Sequence, residues 1–382
     1  MTKLRVLHAM PGFFPAVRYG GPIETVLRLC QELTRLVDLE VMTTDADGPH
    51  ALDVPIGRVV DVEGVKVRYY RCWPRNSMVF SAPLVAALHA EMPRFDIAHV
   101  TGAFVIPSTA ACRAARSANR PYVVSPRGSC RTWALRQKRW KKLPYWHLVE
   151  RSNLERAAAI HVTSEVEKLE LEELLPGARS FLVPNGVVLP EVVPDVVRAP
   201  RRVVFLGRLH PVKALDRLLE ALSRLDLMLP GVEAVFAGPD DVGEWHRLSK
   251  QLARLQPRPN IRFVGPVSGR PKSELLASAA VLVLPSHSEN FGQVVVEALA
   301  HGTPVIASRQ TPWGVLEDRG AGLWVPNDAA SLASAMYRVL SDPDQARAMG
   351  AAGLRLAGEY AWPRVARTMA DMYEQCVAKG HG

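Results

Sequence analysis

The chain has 382 residues, 48% of them hydrophobic and 22% charged, an ordinary globular composition that excludes a disordered or collagen-like polypeptide. Its length suits two domains of roughly 150 to 200 residues, each able to bury its own core. The formal charge of +9, from 47 basic and 38 acidic residues, is compatible with nucleic acid, membrane lipid or a phosphorylated small molecule as partner.

The opening run Leu4 to His8 is too brief for a signal peptide, and no stretch approaches the roughly 20 apolar residues that span a bilayer. Cys30, Cys72, Cys112, Cys130 and Cys376 are scattered with no CxxC spacing, so neither a zinc site nor a disulfide framework is suggested. A cytoplasmic location is expected.

In chain order, short β-branched runs alternate with amphipathic stretches. Leu4 to His8 is followed by a helix over Pro22 to Leu36, Leu39 to Thr44 is a strand, Ile97 to Val100 leads to a helix over Pro107 to Ala118, and Tyr122 to Ser125 is a strand. Beyond Asn185-Gly186 the pattern restarts at Val203 to Leu206, then Val232 to Ala237, Ile261 to Val264, Val281 to Leu284 and Val305 to Ala307, each but the last feeding a helix. Such alternation predicts βαβ units and parallel sheets. The fold expected is α/β, with two facing Rossmann-like domains: residues 1–188 on the acceptor side and 201–360 binding the donor nucleotide. The proline-bearing stretch 189–200 reads as a linker, and 361–382 as a helix able to pack back on the first domain. Ligands of doubly wound sheets sit beyond the carboxyl ends of the strands, so the interdomain crevice is the expected active site.

The segment Ser288-Glu289-Asn290-Phe291-Gly292-Gln293-Val294-Val295-Val296-Glu297-Ala298-Leu299-Ala300-His301-Gly302-Thr303-Pro304 carries the most information. It predicts a helix beginning near Asn290 or Phe291 and stopping at Gly302, with one carboxylate just before it and one inside it. Eight residues at a helical rise of about 1.5 Å separate Glu289 from Glu297 by on the order of 12 Å, comparable to the span from sugar to ribose in a nucleotide diphosphate sugar. The free N–H groups of the helix start would meet the diphosphate, and Gly292 lets the backbone come close. Glu297, among valines and Leu299, would be costly unpaired, and a ribose diol could satisfy it.

This E-x7-E signature resembles the retaining glycosyltransferases of family 4 with the GT-B fold. The resemblance implies that Glu289 contacts the transferred sugar and Glu297 the ribose, with Asn290, Phe291, Gly292 and Gln293 supplying backbone contacts. The run Gly207-Arg208-Leu209-His210-Pro211-Val212-Lys213 places two cations at a strand end and is similar to the family's diphosphate-binding motif, so Arg208 and Lys213 inherit that role, with Ala214 in place of the usual Gly. By the same resemblance Gly20 and Gly21 close over donor phosphate and acceptor, Arg127 lines the acceptor side, Ser164-Glu165 and Asn185-Gly186 close the domains, and Val264 follows the strand that holds the base. The family often has a histidine near this point that touches the donor sugar or the acceptor; with Thr101 where a second commonly stands, that role falls on His99 or on neither, a buried structural histidine being the alternative.

From Arg127 to Lys142 there are seven basic residues and no acidic one, with Trp133 and Trp140 seven apart and Lys138, Arg139, Lys141 and Lys142 around them. The segment could lay a helix on the anionic inner face of a membrane, or be a packed helix with a solvated basic face. No motif supports nucleic acid. The resemblance thus implies a hexose-type, metal-independent retaining transferase without a cofactor, using a nucleotide diphosphate sugar (UDP by family habit) and a glycan or lipid-linked acceptor in surface polysaccharide, lipopolysaccharide or glycolipid assembly. A nucleotide-sugar epimerase and a non-catalytic nucleotide-sugar-binding protein are the alternatives.

Overall fold

In the computed structural model, residues 3–73, 79–136 and 139–379 are described. The chain divides into two compact units, Met1–Gly186 with Trp362–Gly382, and Val187–Ala361.

The first unit contains strands β1 Arg5–Ala9, β2 Asp38–Thr44, the short hairpin β3 Ala46–Asp47 and β4 His50–Ala51, then β5 Val59–Val62, β6 Val65–Tyr70, β7 Ile97–Thr101, β8 Tyr122–Ser125, β9 Ala159–Val162 and β10 Ser180–Leu182. Eight of them form one sheet in the order β10-β9-β8-β7-β1-β2-β6-β5, parallel except for the edge strand β5. Side chains alternate between its faces. Val6 and Ile97 point to a core shared with the helices Gly21–Leu33 and Trp362–Lys379, while Leu7, Ala98 and Val100 point to another built with Ala82–Glu91 and Ile106–Ser117. The last helix of the chain therefore belongs to the first unit. The returning chain crosses at Gly186, where an added Cβ would lie 2.3 Å from the ring of Trp362.

The second unit has six parallel strands, β11 Arg202–Leu206, β12 Glu233–Ala237, β13 Asn260–Phe263, β14 Val281–Leu284, β15 Val305–Ser308 and β16 Gly322–Val325, in the order β13-β12-β11-β14-β15-β16. This is the doubly wound order in which the chain reverses direction between the first and fourth strands. Both faces are covered, so the strands read as continuous apolar runs: Val203, Phe205, Val281 and Val283 pack on helices Leu215–Met228 and Ala329–Ser341, and Val204, Leu206, Leu282 and Leu284 on Gln293–Leu299. The stretch expected as a linker, 189–200, has no regular structure but is fastened to this unit, through the Ala199 N–H to the Ser278 carbonyl at 2.9 Å and Arg198 to the Gly302 carbonyl at 2.9 Å.

Candidate active site

Where β11 and β14 diverge to opposite sides, the two following loops meet. In the first, the Leu209 N–H binds the Pro239 carbonyl at 2.8 Å, and His210 Nδ1 accepts the Val212 N–H at 3.2 Å, starting a 3-10 turn over Pro211–Lys213. Ala214 ends it in the left-handed region (φ 50°), a conformation that costs an L-residue roughly 1–2 kcal/mol and explains why glycine is the usual residue there. The second loop ties on through the His287 N–H to the Val212 carbonyl at 2.8 Å. The result is an ion pair: Lys213 Nζ donates to Glu289 Oε1, which also accepts Ser286 Oγ at 2.7 Å. Both side chains are largely shielded, Lys213 18% and Glu289 12% exposed, so attraction between them is screened less than on an open surface.

Beyond Glu289 the chain turns at Gly292 in the left-handed region (φ 83°), where a Cβ would lie 3.0 Å from Trp313 Nε1 and 3.1 Å from Leu284. Trp313 Nε1 donates to the Phe291 carbonyl, and the Phe291, Trp313 and Tyr360 rings pack together with centroids 5.2 to 6.0 Å apart. An aromatic wedge thus fixes the turn from beneath. The helix that follows is Gln293–Leu299, starting later than the expected Asn290 or Phe291 and completed by a turn to Gly302. Glu289 accordingly stands in the loop, outside the helical rise used to separate the carboxylates.

Glu297 is not the unpaired carboxylate expected from its apolar sequence neighbours. Val295, Val296, Ala298 and Leu299 face the core, while Gln293, Val294 and Glu297 lie on the partly exposed side, and Glu297 Oε1 accepts Lys272 Nζ at 2.9 Å from helix Gly269–Ser278. Lys272 was not anticipated, because it stands 25 residues away with nothing to mark it. Trp313 and Ser286 were likewise not assigned their supporting contacts.

Among the described residues, Arg208 makes a loose, exposed contact with Asp241 at 3.7 Å. Neighbouring Asp240 accepts the N–H groups of Glu244 and Trp245 and so caps helix Glu244–Leu252. Gly207 leads into the cation-bearing loop with its N–H on the Ala237 carbonyl, and Val264, 38% exposed, follows β13 with its N–H on the Phe236 carbonyl.

In the first unit, Gly20 (φ 78°) ends a 3-10 turn, and Gly21 opens helix Gly21–Leu33 with Pro22 next. Arg127 follows β8, and its guanidinium donates to Asn185 Oδ1 at 2.5 Å while Nε has no hydrogen-bond partner; burial lowers its pKa. Ser164 caps helix Glu165–Leu174, and the capped turn places Glu167, which accepts the Gly128 N–H at 2.5 Å. His99 is wholly buried on the sheet face under the last helix, with Nδ1 2.6 Å from Tyr373 Oη and its ring stacked on His8 at 4.5 Å. Burial, then His8, His161 and Arg127, hold its pKa well below the ordinary histidine value. Thr101 is also buried, on His8 Nε2 at 2.9 Å. In this structure both positions are buried beneath the helix that begins at Trp362, and His99 Nε2 is buried without a hydrogen-bond partner among the described residues.

Comparison with known proteins follows the same division. The family model described as "Glycosyl transferases group 1" matches residues 195–355, and the "Glycosyl transferase 4-like domain" matches residues 20–186. The chain belongs to the group 1 glycosyltransferases with the GT-B fold. It is 31% identical over 233 residues to a D-inositol 3-phosphate glycosyltransferase of Streptomyces bingchenggensis, covering 58% of this chain and 48% of that protein. With a glycogen synthase of Mycobacterium tuberculosis it shares 34% over 212 residues, 53% of this chain and 51% of the other. The alignments thus span about half the length of these curated relatives. Among solved structures, the fold resembles sucrose-phosphate synthase from Thermosynechococcus elongatus (TM-score 0.77, 21% identity, 99% of this chain and 100% of the other) and Anabaena HepE in complex with UDP and glucose (0.73, 18%, 97% and 100%).

Proposed function

We propose that the chain transfers a hexose-type sugar from a nucleotide diphosphate sugar, with UDP as the first nucleotide to test, to a glycan or lipid-linked acceptor in surface polysaccharide or glycolipid assembly, with retention of configuration and without a metal. The observation that carries this reading is the shielded Lys213–Glu289 pair at the point where β11 and β14 diverge, beside the Gly292 turn. An arriving diphosphate would draw Lys213 from Glu289 and recruit Arg208 from its loose contact with Asp241, balancing the charge that builds on the leaving group. Glu289, no longer paired with Lys213, can then accept from the sugar hydroxyls. The leaving phosphate oxygen takes the acceptor proton on the same face. Glu297 and Lys272 together offer an acceptor and a donor to the ribose.

The test is turnover of UDP-, GDP- and ADP-sugars with lipid and glycan extracts, with product anomers read by NMR and the assay repeated in EDTA. Lys213→Ala and Glu289→Gln are expected to lower kcat by about 100-fold or more with an unchanged fold by circular dichroism. Near-normal turnover in Lys213→Ala rules out its phosphate role, and interconversion of the donor without any acceptor would make the protein an epimerase.

A cytoplasmic position on the inner face of the membrane is part of the reading. No helix among the described residues is long and apolar enough to cross a membrane. Around helices Thr132–Arg136 and Arg139–Tyr145, however, Trp133, Trp140 and Leu148 are exposed by 45%, 75% and 81% beside Arg136 and Arg139, which suits contact with anionic lipid; Lys138 lies outside the described residues. Wild type should float with anionic vesicles at low salt, and a Trp140→Ser/Leu148→Ser variant should not.

A further inference from the structure

At the amino-terminal edge of the first sheet, opposite the strand ends that lead to Phe104 and Arg127, lies an open cavity of about 470 Å³. Arg116, Arg120, Arg156, Arg179 and Lys379 line it, together with Tyr122 and no acidic residue among the described ones. These residues come from five separate places in the sequence: the end of helix Ile106–Ser117, the turn before β8, the end of helix Arg151–Glu155, the turn before β10 and the last turn of helix Trp362–Lys379. Their convergence is invisible in the sequence.

Helix ends attract cations, which is one reason for basic residues here. Three helices terminate at the cavity, each bringing at most about half a negative charge, or about 1.5 in all. Five full positive charges exceed that by roughly 3.5. The nearby carboxylate that Arg120 influences, Asp96, is already held by Arg5 at 2.8 Å.

Three of the four guanidinium groups are also held in place. Arg116 donates to Tyr122 Oη and Asn153 Oδ1, both at 3.1 Å; Arg179 lies 4.6 Å over the Phe181 ring and reaches Gln375 at 3.4 Å; Arg120 donates to the Pro93 carbonyl at 2.9 Å. Each group carries five N–H donors, so these contacts leave several for a ligand. Arg120 Nε is buried with no hydrogen-bond partner. Fixed, forked donors of this kind match a tetrahedral oxyanion, whose oxygens they can contact two at a time.

We propose that this cavity is a binding site for a phosphate-bearing polyanion, distinct from the place of the sugar donor. The ligand chemistry is a phosphate or diphosphate group, either free or as the headgroup of an anionic lipid. Because the cavity joins the last helix to the turns before β8 and β10, occupancy ties the end of the chain to the first unit.

The experiment measures the thermal midpoint of the full chain with millimolar pyrophosphate against sodium chloride of equal ionic strength. It uses a Lys213→Ala background, so that the donor site does not contribute. The expected result is a rise of roughly 2–4 °C with pyrophosphate over chloride, lost in Arg120→Gln/Arg179→Gln. If that variant fails to fold, Arg156→Ala/Lys379→Ala, which alters two exposed side chains, replaces it. Removing this pair should leave the midpoint without anion unchanged or higher, since it relieves like-charge repulsion. A second arm measures flotation with phosphatidic acid vesicles in a Trp140→Ser/Leu148→Ser background, so that the surface around helices Thr132–Arg136 and Arg139–Tyr145 does not contribute. Loss of flotation in the pair variants without any pyrophosphate effect assigns the site to a lipid headgroup, and loss of the pyrophosphate effect assigns it to a soluble phosphate. Identical behaviour of wild type and pair variants in both arms, with no specific effect of pyrophosphate over chloride and no loss of flotation, overturns the proposal.

Discussion

Glu150 illustrates how far a single side chain can depart from its sequence appearance. It is 2% exposed at the end of the π-helical turn Trp146–Glu150, accepts the Phe104 N–H at 3.0 Å, and burial pushes its pKa up to about 7 despite that hydrogen bond. The folded state therefore holds a proton that the unfolded chain, titrating near 4.5, has lost. The associated stability is present in full below that value and falls as pH rises to about 7, by on the order of 3 kcal/mol. Glu150→Gln keeps an acceptor for Phe104 and removes the charge. Its midpoint in thermal unfolding is expected above wild type at pH 8 and level with it near pH 4; equal midpoints at both would show that Glu150 is not held protonated. The same logic applied to His99 runs the other way, since burial there lowers the pKa and keeps the ring neutral beneath the last helix.

At the scale of elements, the resemblance gave Asn185-Gly186 a part in closing the domains, and the structure gives the glycine a packing reason of its own. The Trp362 ring occupies the space that a side chain would need, with the nearest atom 2.3 Å from the added Cβ. Gly186→Ala must push a buried indole out of a filled core, so a loss of about 1–3 kcal/mol is expected in chemical denaturation. Were the variant as stable as wild type, the chain crossing would be looser than described. Helix Gln293–Leu299 shows a different limit of sequence reading. Its existence and the carboxylates before and inside it were legible from spacing and from Gly302, but its start was not, because the aromatic wedge of Trp313 under Phe291 holds the preceding turn open. The same holds for Glu297, whose apolar neighbours in sequence point away from it once the helix is formed.

For the whole molecule, the order of the chain and the order of the units differ. Helix Trp362–Lys379 returns to the first unit and buries Trp362, Val365, Met369, Met372 and Tyr373 against helix Gly21–Leu33 and β7, along with three smaller residues. Five large apolar side chains at about 1.5–3 kcal/mol each are comparable to the entire stability of a typical domain. A chain ending at Ala361 should therefore fail to fold its first unit, seen as lost protection of β1 and β7 in hydrogen exchange. Native-like protection of these strands in the truncated chain would refute this. The second unit, continuous from Val187 to Ala361, should retain its protection.

What the sequence determined by itself was the α/β alternation, the restart after residue 186 and the E-x7-E and Gly207–Lys213 signatures, because periodicity and loop chemistry are local properties. Only the tertiary structure decided which charges meet. Lys213 reaches Glu289 across 76 positions and Lys272 reaches Glu297 across 25, while His99 disappears beneath a helix that begins 263 residues later. Sheet order and helix docking set those encounters, and neither is written in the spacing of the residues that take part.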